Sequence, residues 1–257
     1  MLIDTHCHLD AAEFDTDRDA VYAAAIAAGV GRIVIPSVTA NGLNEVKNTL
    51  VRYPACRAAY GIHPLYVAQG RESDISHLQR WLATETPLAV GEIGLDHFVK
   101  NIDPVRQEWF FVEQIKLAIT FDLPLILHVR GAIDAILKQL RRYKPRGGIA
   151  HAFNGSRQQA DEFIKLGFKL GFGGTITYSG STRIRELATT LPIEAIVLET
   201  DAPDMPPAWR KGGRNSPAEL PEIARILAEL RQQSLAEISA ATCRNAIAAL
   251  PGLKESA

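Results

Sequence analysis

The chain opens MLIDTHCHLD over residues 1–10, and the end of its first β-rich run, residues 2–8, separates two parallel-sheet folds. An open doubly wound sheet that holds a dinucleotide needs a GxGxxG turn directly after the first strand. Here that place is taken by His6, Cys7 and His8. Side chains alternate faces along a strand, so His6 and His8 project together while Cys7 points away as a buried thiol. Two imidazoles at a strand end suit the mouth of a closed barrel, where functional groups collect.

Working outward, seven more β-rich runs lie at 32–37, 57–63, 88–93, 125–129, 148–153, 168–175 and 195–201. Helix-patterned runs separate them at 17–28, 43–53, 75–84, 105–121, 132–143, 158–166 and 183–190. This alternation is the signature of a parallel sheet with helical crossovers. Dividing the 257 residues by eight gives about 32 per unit, close to what one strand and its crossover helix require. Gly29 and Gly167 each stop a helix just before a strand, and Ser156 stands where an N-cap belongs. The breakers Pro203, Pro206, Pro207, Gly212 and Gly213 shape a loop after the last strand. Two helices over 216–231 and 235–249 finish the chain, the first closing the barrel and the second packing outside it. The expectation is an α/β TIM barrel in a single domain, residues 1–257.

Four more metal-ligating side chains stand at the ends of other strands: Glu92 in VGEIGLD, His128 in LILHVR, His151 in IAHAFNGS and Asp201 in LETDAP. One histidine in an apolar strand is commonly structural, but six donors at one rim form a site. Imidazoles and carboxylates together suit zinc, manganese, nickel or iron, and a shared carboxylate can hold two ions about 3.5–4 Å apart. The expected partition sets His6 and His8 on one ion with Asp201, His128 and His151 on the other, and Glu92 between them. Such ions acidify a water to near-neutral pKa. Asp201 is the expected proton acceptor. Asp4 and Glu199 fall two residues before His6 and Asp201, either holding ligand imidazoles in one tautomer or pairing with a buried cation.

His63 in YGIHP ends the third strand and is expected to contact substrate rather than metal. Arg130 and Arg214, the latter beside Asn215, offer donors for phosphate oxygens, against ordinary loop salt bridges. Gly173 and Gly174 leave backbone amides near the end of the seventh strand, where barrels often receive phosphate.

Composition narrows the partners. Lys plus Arg number 28 against 29 Asp plus Glu, a formal charge of −1, so no chain-wide cationic field holds duplex nucleic acid or an anionic membrane. Cys7, Cys56 and Cys243 include no CxxC pair, which fits a reducing cytoplasm. The opening residues lack the basic and apolar regions of a leader, and no run reaches the roughly 18 apolar residues of a membrane span. A cytoplasmic monomer is expected.

The motifs IDTHCHLD, YGIHP, VGEIGLD, LPLILHVR, HAFNGS, LETDAPDMPP and RNSPAELPEIA resemble the TatD family of metal-dependent hydrolases, and GGTITY followed by LETDAPDMP resembles its YjjV-like branch. The resemblance implies a distorted TIM barrel of the amidohydrolase superfamily. It also implies two divalent ions, zinc, manganese, magnesium or nickel, on His6, His8, Glu92, His128, His151 and Asp201. Family members are described as deoxyribonucleases acting at DNA ends, and with a near-neutral chain the expected substrate is a single-stranded end. Two other functions fit the same residues: a metal-dependent amide or ester hydrolase, such as an aminoacyl-tRNA deacylase, and a non-catalytic metal-binding scaffold.

Overall fold

All eight β-rich runs become strands, and they pair in chain order, β1 to β8, all parallel. In the computed structural model, which describes residues 1–254, the strands are β1 Leu2–Asp4, β2 Val30–Pro36, β3 Cys56–Tyr60, β4 Ala89–Asp96, β5 Leu125–Arg130, β6 Gly148–Ala150, β7 Phe168–Phe172 and β8 Ile196–Leu198. The last three residues of the expected 1–257 unit lie outside the described residues. The crossover helices are α1 Arg18–Ala27, α2 Leu43–Arg52, α3 Glu72–Glu85, α4 Pro104–Thr120, α5 Ile133–Tyr143, α6 Arg157–Lys165 and α7 Thr182–Thr190, with α8 Leu220–Arg231 and α9 Leu235–Ala249 last. The fold is the expected distorted TIM barrel.

Residues alternate between two cores as the pleat requires. Along β2, Ile33 and Ile35 face the helices, whereas Val34 faces the barrel interior with Ile3, Ala59, Ile126, Ile149 and Val197. That interior is small. Ala246, Ala249, Leu250 and Leu253, from α9 and the turn after it, complete its lower end beside Leu88, which precedes β4. The last helix therefore floors the barrel instead of merely lying against its outside. Its Asn245 fixes that position by donating to the carbonyls of Ile193 and Ile196 at the start of β8.

Several strands stop earlier than their β-rich runs, and all do so at the mouth. β1 ends at Asp4, β6 at Ala150 and β8 at Leu198. Beyond them the backbone turns aside: Ala152 has φ 44° and Asp201 φ 58°. Strand β4 instead runs on to Asp96, with an irregular register between Val90 and Ile93 opposite Leu125 and Leu127. Glu92 sits in that bulge, its N–H donated to Ser37 at 3.1 Å, and a bulge re-aims a side chain in this way.

The seam between β8 and β1 is closed by bonds beyond the strand ladder. Thr5 donates to Leu198, His8 to Ala202 and Asp201 to His6, all between backbone atoms at 2.7–3.1 Å. Asp4 adds a side-chain clamp, accepting from Thr200 N at 3.0 Å, Thr200 Oγ1 at 2.6 Å and His6 N at 3.3 Å. Asp4 and Thr200 are fully buried, so removing the acceptor strands donors without water. Asp4→Ala is expected to cost about 3 kcal/mol and to lower Tm by roughly 6–12 °C. Asp4→Asn, which keeps one acceptor oxygen, should lose less. Equal melting of Asp4→Ala and the parent in a thermal scan would show that the clamp does not hold the seam.

Candidate metal centre

Four lone-pair atoms converge beyond the ends of β1 and β8 and at the bulge in β4. His6 Nε2 lies 3.2 Å from His8 Nε2, 3.1 Å from Glu92 Oε2 and 3.6 Å from Asp201 Oδ1. His8 Nε2 is 3.6 Å from Glu92 Oε2 and 3.7 Å from Asp201 Oδ1. Ligands bonded to zinc at about 2.0–2.1 Å in a tetrahedron stand about 3.3 Å from one another. The observed spacings bracket that value, so these residues fit a divalent cation. Two imidazole nitrogens facing two carboxylates in a buried space also lack any other common partner.

A second cluster shares the same carboxylate. Glu92 Oε1 is 2.9 Å from His128 Nδ1 and 3.4 Å from His63 Nε2, and the two imidazole atoms are 3.0 Å apart. The other face of each ring defines its tautomer. His128 Nε2 meets Asp96 Oδ2 at 3.1 Å, so its proton belongs there and the Nδ1 lone pair is turned into the site. His63 is the reverse: Nδ1 accepts from Leu65 N at 3.1 Å, leaving the Nε2–H of the neutral ring aimed inward. Burial lowers the pKa of His63 and keeps that ring neutral. His128 thus presents a ligand atom, and His63 a hydrogen-bond donor.

His151 reaches the site from just beyond the end of β6. Its ring stacks on His6 with centroids 3.7 Å apart, and its Nε2 lies 3.6 Å from Asp201 Oδ2. Nδ1 faces Glu199 Oε1 at 2.9 Å. Against the effect of burial, the carboxylates of Glu199 and Asp201 raise His151 to about 10. Burial alone would raise Glu92, but His63, His6 and His128 around it hold it well below the usual carboxylate range. His6 is driven well down by burial and by His151. The donor groupings are His6, His8 and Asp201; His6, Glu92 and His151; and His63, Glu92 and His128.

Glu199 is seated by a glycine. A Cβ on Gly171 would come within 2.2 Å of Glu199 Oε2, and Glu199 Oε1 also accepts from Ala152 N at 2.6 Å. Gly171→Ala must therefore displace the carboxylate that faces His151. Metal affinity is expected to fall 10–100-fold, as for Glu199→Ala, with little further loss in the double variant. Competition with a chelator measures it, and additive losses would mean that the two residues act separately.

Other expected site residues are distributed differently. Arg130 lines the mouth, its guanidinium 4.2 Å over the Phe98 ring and 3.8 Å from Asp96. Arg214 turns away: it pairs with Asp17 at 2.6 Å, reaches the Glu13 carbonyl and covers Phe14. The loop after β8 folds back on the turn before α1, and Arg214 staples the two. Asn215 is fully buried, donating to the carbonyls of Thr200, Asp204 and Met205. The Asp4 carboxylate meets backbone and Thr200, with no imidazole among its hydrogen-bond partners. Gly173 and Gly174 are small to admit Glu199 and the 205–207 loop, whose atoms a Cβ would meet at 2.8 and 2.4 Å. Asp96 is a site residue that the sequence motifs do not single out. Period two from Glu92 reaches it through Gly94, on a strand that runs further than its apolar run.

The centre opens into a cavity of about 1150 Å³. A parallel barrel with this donor set at its mouth fits a metal-dependent hydrolase. The TatD related DNase family profile matches residues 3–251, and the chain belongs to that family. It is 40% identical over 246 residues, 95% of each chain, to the metal-dependent hydrolase YjjV of Escherichia coli K12. The crystal structure of that TatD homologue superposes with a TM-score of 0.94 at 39% identity, covering 97% of this chain and 98% of that one. The chain is also 32% identical over 253 residues, 95% of itself and 96% of its relative, to the 3'-5' ssDNA/RNA exonuclease TatD of Cronobacter sakazakii. Among the described residues no helix is long and apolar enough to cross a membrane.

Proposed function

We propose that this metal-dependent hydrolase cleaves phosphodiester bonds at single-stranded DNA ends, with residues 1–257 acting as one catalytic unit. The observation that carries the reading is Glu92, whose two oxygens face two donor clusters, 3.1 Å from His6 and 2.9 Å from His128. Divalent cations held by these residues would supply an acidified water and charge neutralisation for an in-line displacement. His6, His8, Glu92 and Asp201 would hold one, and Glu92, His128 and His151 the other. Asp201 takes the proton from the attacking water. The inward N–H of His63 and the guanidinium of Arg130 donate to phosphate oxygens.

An end suits the mouth better than a duplex. Asp10, Glu13, Asp134 and Asp204 line it against one arginine, Arg130, so an extended polyanion gains little there. The name of the Cronobacter relative points to the same substrate class. The test is release of label from end-labelled single-stranded DNA by zinc- or manganese-loaded protein, with His128→Ala as control. Release by the parent and little by the variant is the expected result. Hydrolysis of acyl esters with none of DNA would transfer the site to the amide or ester reading, and metal binding without either activity to a scaffold.

A further inference from the structure

The mouth and a second hollow lie at opposite ends of two neighbouring crossover helices. Helix α5 begins at the mouth, where Ile133 and Asp134 line it, and α6 begins there too, with Gln159 in the lining. Gln159 Nε2 donates to Asp134 Oδ1 at 3.0 Å, tying the two upper ends together. Both helices finish at a hollow of about 400 Å³ on the far side, lined by Leu140, Arg141, Lys144, Lys165, Leu166 and Phe168. The eleven residues of α5 span about 16 Å at 1.5 Å rise each.

Charge changes sign along that path. The upper end carries the carboxylates of the mouth, whereas the lower end is cationic. Arg141 and Lys165 share one carboxylate, Glu162, at 2.8 Å each. Lys138 and Lys144 are exposed and have no carboxylate partner among the described residues. Lys138 lies four residues after Asp134 and three before Arg141 on α5, so it shares their strip facing α6. One cation per helix would complement the two C-terminal dipoles; four are gathered here.

We propose that the strand behind the scissile end lies in the α5–α6 crease, with its phosphates on Lys138, Arg141, Lys144 and Lys165. This rests on the nucleic-acid reading of the site above. It supplies the cationic contacts that the acidic mouth lacks, and keeps them away from the chemistry. Phosphates succeed one another every 3.4 Å or so along a stacked strand, so the crease accommodates about five. Substrates shorter than that cannot reach its lower end.

The experiment compares the parent with a Lys138→Ala, Lys144→Ala, Lys165→Ala triple variant, both metal-loaded, on twelve- and four-nucleotide thymidine strands. None of these lysines belongs to the metal centre, and bound metal per chain with the circular dichroism spectrum reports intact folding. On the longer strand at low salt, kcat/KM of the variant is expected to fall tenfold or more. Its log affinity against log salt, read by fluorescence anisotropy, should flatten by about 2, three phosphate contacts at about 0.7 each. Unchanged length preference and salt slope would overturn the proposal with the nuclease reading intact. If the parent degraded neither strand, the nuclease reading would fall, and the anisotropy of the longer strand would still decide the crease: equal affinity for parent and variant rejects it.

Discussion

Glu92→Ala is expected to empty both proposed cation positions together and to lower hydrolysis by roughly 10³-fold or more. The reason is topological. Glu92 leaves the barrel wall at a bulge in β4 and is 2% exposed, with one oxygen 3.1 Å from His6 and the other 2.9 Å from His128. Its removal leaves the His63 and His128 pair with no carboxylate facing into the site and the His6 and His8 pair with Asp201 alone, so both clusters lose anionic charge that a divalent ion requires. His8→Ala, by contrast, deletes one donor of four from one cluster, and its side chain is 17% exposed. It should weaken one position and spare the other. Metal content per chain, measured after dialysis against a fixed free-zinc concentration, separates the cases. A Glu92→Ala protein that still held two equivalents would remove the bridging role and the two-ion chemistry built on it.

The donors are legible in the sequence and their grouping is not, because period two specifies only which side chains share a face. His6 and His8 do so wherever the backbone stays extended, and strand ends meet at one rim in any closed barrel. Which rings meet across the mouth depends on where each strand leaves the ladder. β6 stops at Ala150 and Ala152 takes φ 44°, and the His151 ring stacks on His6 while His63 stands beside His128. Tautomers are equally hidden, since Leu65 N and Asp96 Oδ2 define them and both belong to loops or strand extensions. Arg214 and Asn215 show the opposite limit. Their donor chemistry suits phosphate, but RNSP lies where the last loop must be tied down, and buried carbonyls and Asp17 claim those donors first. The glycines at 173 and 174 look like open backbone in the sequence, yet each is small because a neighbouring backbone carbonyl, of Glu199 or Met205, already fills the volume.

Asp201→Asn tests the proton transfer itself. Asp201 Oδ1 stands 3.6 and 3.7 Å from the two histidine nitrogens of the first cluster, Oδ2 is 3.6 Å from His151, and the side chain is 14% exposed. It is the carboxylate of the centre that faces the open cavity. Burial raises its pKa to about 6, with His151 and His8 drawing it back down. A base works only when ionised, so the rate should climb with pH as Asp201 loses its proton and level off above about 6. Bound cations favour the charged form and move this acid limb lower. Asparagine keeps an oxygen toward His6 and His8 but cannot accept the proton, so kcat is expected to drop 10²–10⁴-fold with KM little changed. The acid limb should vanish from the residual rate. Metal content then decides what the loss means: near-parental zinc with a flat profile identifies a proton acceptor. Loss of zinc matching that of Glu92→Ala would make Asp201 chiefly a ligand, and an acid limb surviving in the variant would assign the titration to another group.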